Sequence, residues 1–452
     1  MSIDHPESAT DPEHEESLRP PASDSATSKT ATSKSAMSLW RHRDFMLLWG
    51  GQAVSEIGSS VSTLAFPLIA VTAIRATTFE VAVLSFLGSL AFLLVALPAG
   101  VIVDRSRKRR MMLGCDVARM LFMFSIPLAA IFWHVTLWQL YVVAALVGVL
   151  TVFFDVAYQS YLPALVTKDQ LADGNGKLGT TQSFAQVAGP SLGGLLVTLI
   201  GAARAVTSDA VSYFFSALSL AAIRTAEPDR QPSDGDERVS FRASMNEGLG
   251  FVLKHPILRK VVGCTATANF FGAGQGAIEV VFLVRTLHAT SGQVGLLFAL
   301  AAVGGIIGGL TSGRLSRLVG NARIIWAVQI VPAPLFLLIP LARPGWGLLM
   351  FAAGNLAYSA VAVVYNVAQV TYRQSICPPD LLGRMNASVR WIVWGTLPLG
   401  ALAGGGVATW IGLRPTLFIT TIGGVLAFLW VFFSPLRRMR DFPAEPEPAS
   451  AG

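Results

Sequence analysis

Long apolar runs, each close to the length that crosses a membrane, follow one another along most of this sequence. A membrane helix needs about 20 mostly apolar residues, and twelve runs of this kind alternate with short polar loops. The seventh is the least apolar, because Asn269, Gln275 and Glu279 interrupt it. The pattern predicts an all-α membrane protein with twelve transmembrane helices, at about 45–73, 79–101, 111–133, 137–160, 180–200, 205–223, 260–284, 293–315, 323–342, 347–370, 391–411 and 416–434.

A polar segment after the sixth run divides the chain into two groups of six. The two ends of the chain are also polar and lack any apolar stretch, which is typical of disordered tails. The predicted organisation is a tail at 1–40, a six-helix bundle at 41–223, a linker at 224–259, a second six-helix bundle at 260–436 and a tail at 437–452.

The second part of the linker has the pattern of a helix at a membrane surface. Apolar residues recur there at helical spacing beside charged residues such as Arg242, Glu247 and Lys254. This pattern predicts an amphipathic helix on the inner membrane surface. Its apolar positions are Phe241, Met245, Leu249 and Val252.

The two halves are related by an internal repeat at a constant offset of 211 residues. Polar positions match as well as apolar ones, which favours duplication over chance similarity between apolar helices. We therefore expect two pseudo-symmetric bundles. The matches are Val156, Ala157, Tyr161, Asp169, Leu171, Asn175, Gly189, Gly193 and Gly194 with Val367, Ala368, Tyr372, Asp380, Leu382, Asn386, Gly400, Gly404 and Gly405.

The distribution of charge predicts the orientation. Only 13% of the residues are charged, too few for the surface of a soluble protein of this length. The net charge of +7 comes from short basic clusters between apolar runs, which does not indicate a nucleic-acid partner. With both termini in the cytoplasm, twenty-five basic residues fall on the inner side of the cell membrane, as the positive-inside rule requires. Five fall outside, namely Arg75, Arg204, Arg285, Arg343 and Arg414.

Nothing in the sequence indicates an enzyme or a cofactor. The three cysteines have no paired spacing, and the histidines at the ends of the spans have no metal-ligand partners at a suitable spacing. Gly174 to Lys177 lacks the first glycine and the hydroxyl of a nucleotide-binding loop. We therefore expect no metal, no cofactor and no ATP hydrolysis by this chain. Separately, we expect the protein to be a monomer in the lipid bilayer.

The loop between the second and third spans carries a recognisable motif. Gly100, Asp104 and Arg105 precede a basic cluster that includes Lys108. This arrangement resembles the signature loop of the major facilitator superfamily, although Arg107 stands where a glycine is usual. The resemblance implies a cytoplasmic gate, with Gly100 at a close helix contact. The alternative is that the basic residues only fix the topology.

A second motif lies in the fifth span. Gly189, Pro190, Gly193 and Gly194 resemble the motif that marks exporters and antiporters of that superfamily, with Ala185 in place of its leading glycine. Small residues on one face let two helices touch backbone to backbone, and a proline bends a helix. The resemblance favours export over uptake. Ordinary packing of small residues is the alternative.

Other segments point to one branch of the superfamily. They resemble the branch that holds enterobactin-type siderophore exporters and macrolide or multidrug efflux proteins. The resemblance covers about 37–440, but the arginine pattern usual in the fourth span of drug–proton antiporters is missing. The segments are Cys115 to Arg119, Phe154 to Tyr158, Leu162 with Pro163, Leu253 to Leu258 and Leu382 to Met385.

Charged residues inside the predicted spans are costly and therefore informative. Glu56 lies roughly 20 Å along its helix from Arg43, so we expect it near the bilayer midplane, as a proton site, a cation site or a neutral structural group. Asp209 and Glu279 are further candidates for proton coupling, or else are solvated from an outer vestibule. We predict that Asp116, Arg119 and Asp155 form a cytoplasmic gate network together with the signature loop.

The sequence thus predicts the major facilitator fold and secondary active export of a small amphiphilic molecule, such as a drug, macrolide, siderophore or secondary metabolite, in exchange for protons. A proton-linked importer and a receptor or scaffold without transport are the alternatives. The predicted cavity residues, some of which core packing explains equally well, are Gln52, Glu56, Asn269, Phe270, Phe271, Gln275 and Tyr358.

Overall fold

The computed structural model describes residues 39–167, 170–225, 227, 241–377 and 381–441. The predicted tails, except for their innermost residues, and most of the polar linker lie outside this description. Inside the helices the side chains of some residues are also outside it, among them Asp104, Pro190 and Phe241 to Asn246.

Helices joined by short turns make up almost all of the described chain. In chain order they are α1 Arg43–Leu68, α2 Thr78–Leu94, α3 Ala96–Asp104, α4 Lys108–Phe132, α5 Leu137–Leu165, α6 Leu171–Ile200, α7 Ala202–Ala222, α8 Phe241–Lys254, α9 Leu258–Val281, α10 Ser291–Val319, α11 Ile324–Ile330, α12 Ala333–Phe336, α13 Leu338–Leu341, α14 Leu348–Ile376, α15 Leu382–Ile411, α16 Leu413–Leu426 and α17 Leu429–Phe432.

Within the described residues, nine helices are long and apolar enough to cross a membrane, and a tenth crossing is formed if α11 to α13 count as one. α11 to α13 correspond to the predicted ninth span. This segment is bent by 45° near Pro332, so the expectation of one continuous helix at 323–342 is wrong. The second span is divided at Val95, which leaves α2 with 17 residues. α6, with 30 residues, is long enough to cross a membrane, but it is more polar than the nine helices counted above. The precise count of twelve therefore stays a prediction.

The least apolar predicted span is nevertheless one long helix. α9 runs unbroken past Asn269, Gln275 and Glu279, and a π-helical turn extends it to Thr286. Its polar side chains face neighbouring helices or a cavity inside the protein, as described below. They therefore do not prevent this helix from crossing a membrane.

A repeated turn relates the two halves more closely than the sequence indicates. α1 and α9 both end in a π-helical turn, at Ile69–Ala73 and Phe282–Thr286. Two residues further on, Arg75 and His288 both adopt a positive φ, of 59° and 53°, which is uncommon without glycine. The next helices, α2 and α10, then begin in the same way, with capping boxes from Thr77 to Glu80 and from Thr290 to Gln293. Equivalent steps lie 213 residues apart.

The apolar cores show how the halves meet. One core contains residues from both halves, such as Leu68 and Val206 together with Val281 and Leu417, at the end predicted to be extracellular. At the other end, the described cores draw on one half each, around Phe45 and Tyr161 or around Tyr372. The halves thus share one apolar core at the predicted outer end and have separate apolar cores at the predicted inner end.

Two helix pairs form the seams between the halves, α2 with α15 and α6 with α10. Glycines allow the close approach in both. Gly405 of α15 lies against Ala82 of α2, and Gly194 of α6 lies against Gly295 of α10. An added Cβ at either contact would collide with the neighbouring helix.

The predicted amphipathic helix is present as α8, and it packs against protein. Val252 is fully buried, and Gly248 lies against the Arg384 backbone of α15. Glu247 also forms a surface ion pair with Arg384. At least part of its apolar face thus covers the second half of the chain.

Candidate functional site

A cavity of about 610 Å³ opens between the halves, on the inner side of the shared core. Its wall combines acidic, basic and aromatic side chains from α1, α2, α4, α5 and α15. A volume of this size is within the usual range of sites for small organic ligands. The lining residues are Trp49, Gln52, Ser55, Glu56, Ser59, Phe92, Arg119, Thr151, Asp155, Tyr158, Gln159, Leu178, Thr181, Arg390 and Trp394.

Glu56 lies on the wall of this cavity, about midway along α1. Its Oε1 accepts a hydrogen bond of 2.9 Å from Nε2 of Gln52, one helical turn earlier. Arg119 is close enough to attract it electrostatically. Two other polar atoms of the wall, Gln52 Oε1 and the Tyr158 hydroxyl, are buried and have no hydrogen-bond partner within the described structure. Such groups are costly without a partner, so they suit a ligand that supplies one.

Asp116 and Arg119 form a buried ion pair inside the first half. Both are on α4 at i, i+3 spacing, and they are 0% and 3% exposed. The Arg119 guanidinium lies 4.3 Å from the ring centre of Phe154 and 4.4 Å from that of Tyr213. α4 is therefore fixed to α5 and α7 by one cation at the level of the cavity.

The predicted gate residues do not form a single cluster. Arg119 is eleven residues beyond Lys108 on α4, or about 16 Å along the helix. Arg119 is therefore separated from the start of α4 in this conformation, and the gate network of Asp116, Arg119 and Asp155 with the signature loop stays a prediction. Arg119 and Asp155 line the cavity, and Asp116 is buried beside Arg119, whereas Arg105 and Lys108 lie at the inner helix ends. The side chain of Asp104 is outside the described residues.

Gly100 also differs from expectation. A Cβ at this position would meet no heavy atom within 4 Å, so no close helix contact requires the glycine here. A gate at the signature loop would form only in a conformation that brings these helix ends together.

A carboxylate that sequence reasoning missed lies beside the signature loop. Glu227 accepts hydrogen bonds from the backbone N–H groups of Lys108 and Arg109, at 3.0 and 2.5 Å. It thereby caps the N-terminus of α4. Arg109 in turn donates to the carbonyl oxygens of Leu220 and Ala221 at the end of α7. The predicted linker at 224–259 thus contains, near its start, a residue that joins the chain after α7 to α4.

The predicted proton site Asp209 lies beside a second cavity, of about 430 Å³, which shares Ser59, Phe92 and Thr151 with the first. Asp209 is 0% exposed. Its Oδ1 accepts hydrogen bonds of 3.3 Å from the hydroxyls of Ser59 and Ser212. Asp209 is therefore buried in this conformation, and its role in proton coupling stays a prediction.

Glu279 is also buried in this conformation. It is 6% exposed, and its Oε1 accepts a hydrogen bond of 2.6 Å from Nδ2 of Asn355 on α14. It does not line the cavities described above. Burial against a single amide makes Glu279 a structural contact between α9 and α14 in this conformation.

The second half contains a separate cavity of about 350 Å³ with no charged side chain in its wall. Asn269, Gln275 and Tyr358 of the predicted set line it. Phe270 and Phe271 do not: the Phe270 backbone packs against Gly400, and the Phe271 ring against Gly423. In this conformation both phenylalanines contact neighbouring helices outside this cavity, and their role in a substrate cavity stays a prediction.

The glycines of the fifth-span motif lie at helix contacts. A Cβ on Gly189 would collide with the side chain of Ser60, and one on Gly193 would lie 3.2 Å from Cα of Val61. Both glycines therefore bring α6 close to α1. Gly194 makes the contact with α10 described above. The side chain of Pro190 is outside the described residues.

The fold is that of known solute transporters. It matches the nucleoside transporter NupG with a TM-score of 0.69 and 11% identity, covering 86% of this chain and 98% of that one. A bacterial homologue of the human lysosomal transporter Spinster matches with a TM-score of 0.66 and 16% identity, covering 90% and 100%. At these identities the likeness shows the fold alone.

The family model of the transmembrane secretion effectors, MFS_3, matches residues 34–449, and the chain belongs to this family of the major facilitator superfamily. It is 26% identical to the multidrug efflux pump Tap of Mycolicibacterium fortuitum, over 86% of this chain and 95% of Tap. It is 23% identical to macrolide efflux protein A of Streptococcus pyogenes, over 83% and 93%. It is also 23% identical to the enterobactin exporter EntS of Citrobacter koseri, over 90% and 96%.

These matches confirm the predicted superfamily and its efflux branch. The chain is a multi-pass membrane transporter of small molecules and not an enzyme.

Proposed function

We propose that this protein exports a small amphiphilic molecule, with a cationic group as its preferred polar end, in exchange for protons. The observation that carries the proposal is Glu56, a carboxylate about midway along a membrane helix and on the wall of a 610 Å³ cavity. An ionised carboxylate at that depth costs about 2.5–3.5 kcal/mol by one insertion scale. Binding either a proton or a cation removes that cost, so the two compete for one site.

The remainder of the cavity wall suits an amphiphile. Trp49, Phe92, Tyr158 and Trp394 offer apolar surface, and aromatic faces attract cations. The unpartnered Gln52 Oε1 can accept a hydrogen bond from a substrate N–H or O–H. The uncharged cavity of the second half offers hydrogen-bonding groups to a neutral part of the same molecule.

The shared core at the outer end and the separate cores at the inner end support an alternating-access cycle. We take this conformation as inward-open, with both termini in the cytoplasm and the protein in the cell membrane as a monomer. Closure at the signature loop would give the outward-open state. Release outward would follow when a proton takes the substrate's place on the carboxylate.

Accumulation of a fluorescent lipophilic cation in cells tests export against its alternatives. Cells that overproduce the protein should accumulate less of the dye than cells that lack it, and a protonophore should abolish the difference. A proton-linked importer would raise accumulation, and a receptor or scaffold would leave it unchanged. Erythromycin and a catechol siderophore, tested in parallel, would extend the comparison to the compounds after which the relatives are named.

A further inference from the structure

Arg390 belongs to the second half of the chain and lines the 610 Å³ cavity that also contains Glu56 and Asp155. It belongs to α15, and its Nη1 donates a hydrogen bond of 3.2 Å to Oε1 of Gln159 on α5. Its guanidinium lies 4.4 Å from the ring centre of Trp394, one turn further along α15. It is therefore held in a defined position on the cavity wall, opposite α5.

Asp155 is the acidic neighbour of this guanidinium. It precedes Gln159 by one turn of α5, and both line the same two cavities as Arg390, one of about 610 Å³ and one of about 160 Å³. The two side chains carry opposite charges and line the same walls, although they form no direct ion pair in this conformation. The other cation of the wall, Arg119, also attracts Asp155 but is paired with Asp116.

Further contacts, made by α15 residues close to Arg390, join α15 to α2. The indole N–H of Trp391 donates to the carbonyl oxygen of Leu93 at 3.4 Å. Trp394 meets Phe92 edge to face, with ring centres 5.0 Å apart. The Arg390 contact with α5 therefore lies beside a seam between the halves, where its loss would change how the two halves hold together.

We propose that Arg390 is a tethered cation that occupies the part of the cavity near Asp155 in the substrate-free protein, and that a cationic substrate displaces it from this position. This inference rests on the proposed function, because it requires a cation-binding cavity. Displacement removes a contact between the halves, so substrate binding and the relative movement of the halves become one event. A neutral ligand in the same cavity does not compete with Arg390.

A charged and a neutral ligand of similar shape test the displacement. Tetraphenylphosphonium and triphenylphosphine oxide would be bound to the purified full-length protein in detergent, with affinity measured by equilibrium dialysis. Arg390→Gln removes the charge and keeps a donor for Gln159. It should bind tetraphenylphosphonium about tenfold more tightly, a change of about 1.4 kcal/mol, and the neutral oxide as the wild type does. Arg390→Lys should bind both ligands like the wild type.

Two further variants identify the partner and control for charge in general. Arg390→Gln combined with Asp155→Asn should lose the tightening, because the acidic partner is gone. Arg384→Gln, which removes an exposed cation of the same helix, should change neither affinity. Unchanged binding of the oxide also shows that each variant is folded.

Equal tetraphenylphosphonium affinity in the wild type and Arg390→Gln, or an equal change for both ligands, would overturn the inference. The proposed function has a separate readout in proton-driven efflux by Glu56→Gln. If that efflux stops while Arg390→Gln binds normally, the proposed function stands and the tethered cation does not. If neither the wild type nor Arg390→Gln binds tetraphenylphosphonium, the inference and the cation preference both fall.

Discussion

Gly194 of α6 and Gly295 of α10 lie in direct backbone contact across the boundary between the two halves. A side chain on either residue would occupy the position of the other backbone. Gly405 repeats this arrangement on the opposite seam, where it lies against Ala82 of α2. The halves thus meet through glycines on both sides of the cavity.

Gly194→Ala should weaken this contact. Overpacking costs roughly 1–3 kcal/mol, which exceeds the roughly 1 kcal/mol that alanine gains over glycine inside a helix. The melting temperature in detergent should fall, and reconstituted protein should export more slowly or leak. Gly406→Ala is the matched control, since a Cβ there meets no atom within 4 Å, and it should be neutral or stabilising. Equal effects of the two substitutions would contradict the role of the close contact.

Arg119→Gln should destabilise the first half strongly. It leaves Asp116 buried without its counter-ion, and breaking a buried pair in this way typically costs about 3–5 kcal/mol. Adding Asp116→Asn should restore part of the loss, because no unpaired charge remains. Thermal unfolding in detergent measures both steps. Arg384→Gln breaks an exposed pair and should cost no more than about 1 kcal/mol. Additive losses in the double variant would argue against a coupled pair.

Glu227→Ala should loosen the junction of α4 and α7. Removing a side chain that caps a helix N-terminus costs about 1 kcal/mol, and here it also frees the start of the signature-loop helix. Hydrogen exchange at the amides of Lys108 and Arg109 should increase more than at the rest of α4. Glu247→Ala, at an exposed carboxylate of α8, serves as the control. Unchanged exchange at these two amides would show that Glu227 is not their partner in solution.

Hydrophobic periodicity predicts the positions of the helices well, because a membrane span requires a long apolar run whatever its neighbours are. The bend near Pro332 and the break at Val95 were missed, since neither shortens the apolar run. The positive φ at Arg75 and His288 was also missed, because glycine is the usual signal for that conformation. Only the matching turns of both halves make it evident.

The site was predicted in part for a similar reason. Depth along a helix follows from counting residues, so Glu56 and Asp209 were located, but the face that each presents depends on neighbouring helices. Glu279 and Phe271 turn toward packed helices for that reason. Arg390 carries no local signal, because its partner Gln159 lies 231 residues away. Glu227 was hidden by the polar composition around it.

Proton-driven efflux from proteoliposomes with Glu56→Gln is the most direct test of the central claim. Glutamine keeps the size of the side chain and its hydrogen bonding to Gln52, but it cannot exchange a proton. Glu279→Gln is the matched control, because Glu279 is buried against Asn355 away from the cavity. With an imposed pH gradient, the account predicts that wild-type protein and Glu279→Gln expel tetraphenylphosphonium while Glu56→Gln does not. Equal gradient-driven rates for the wild type and Glu56→Gln would contradict it.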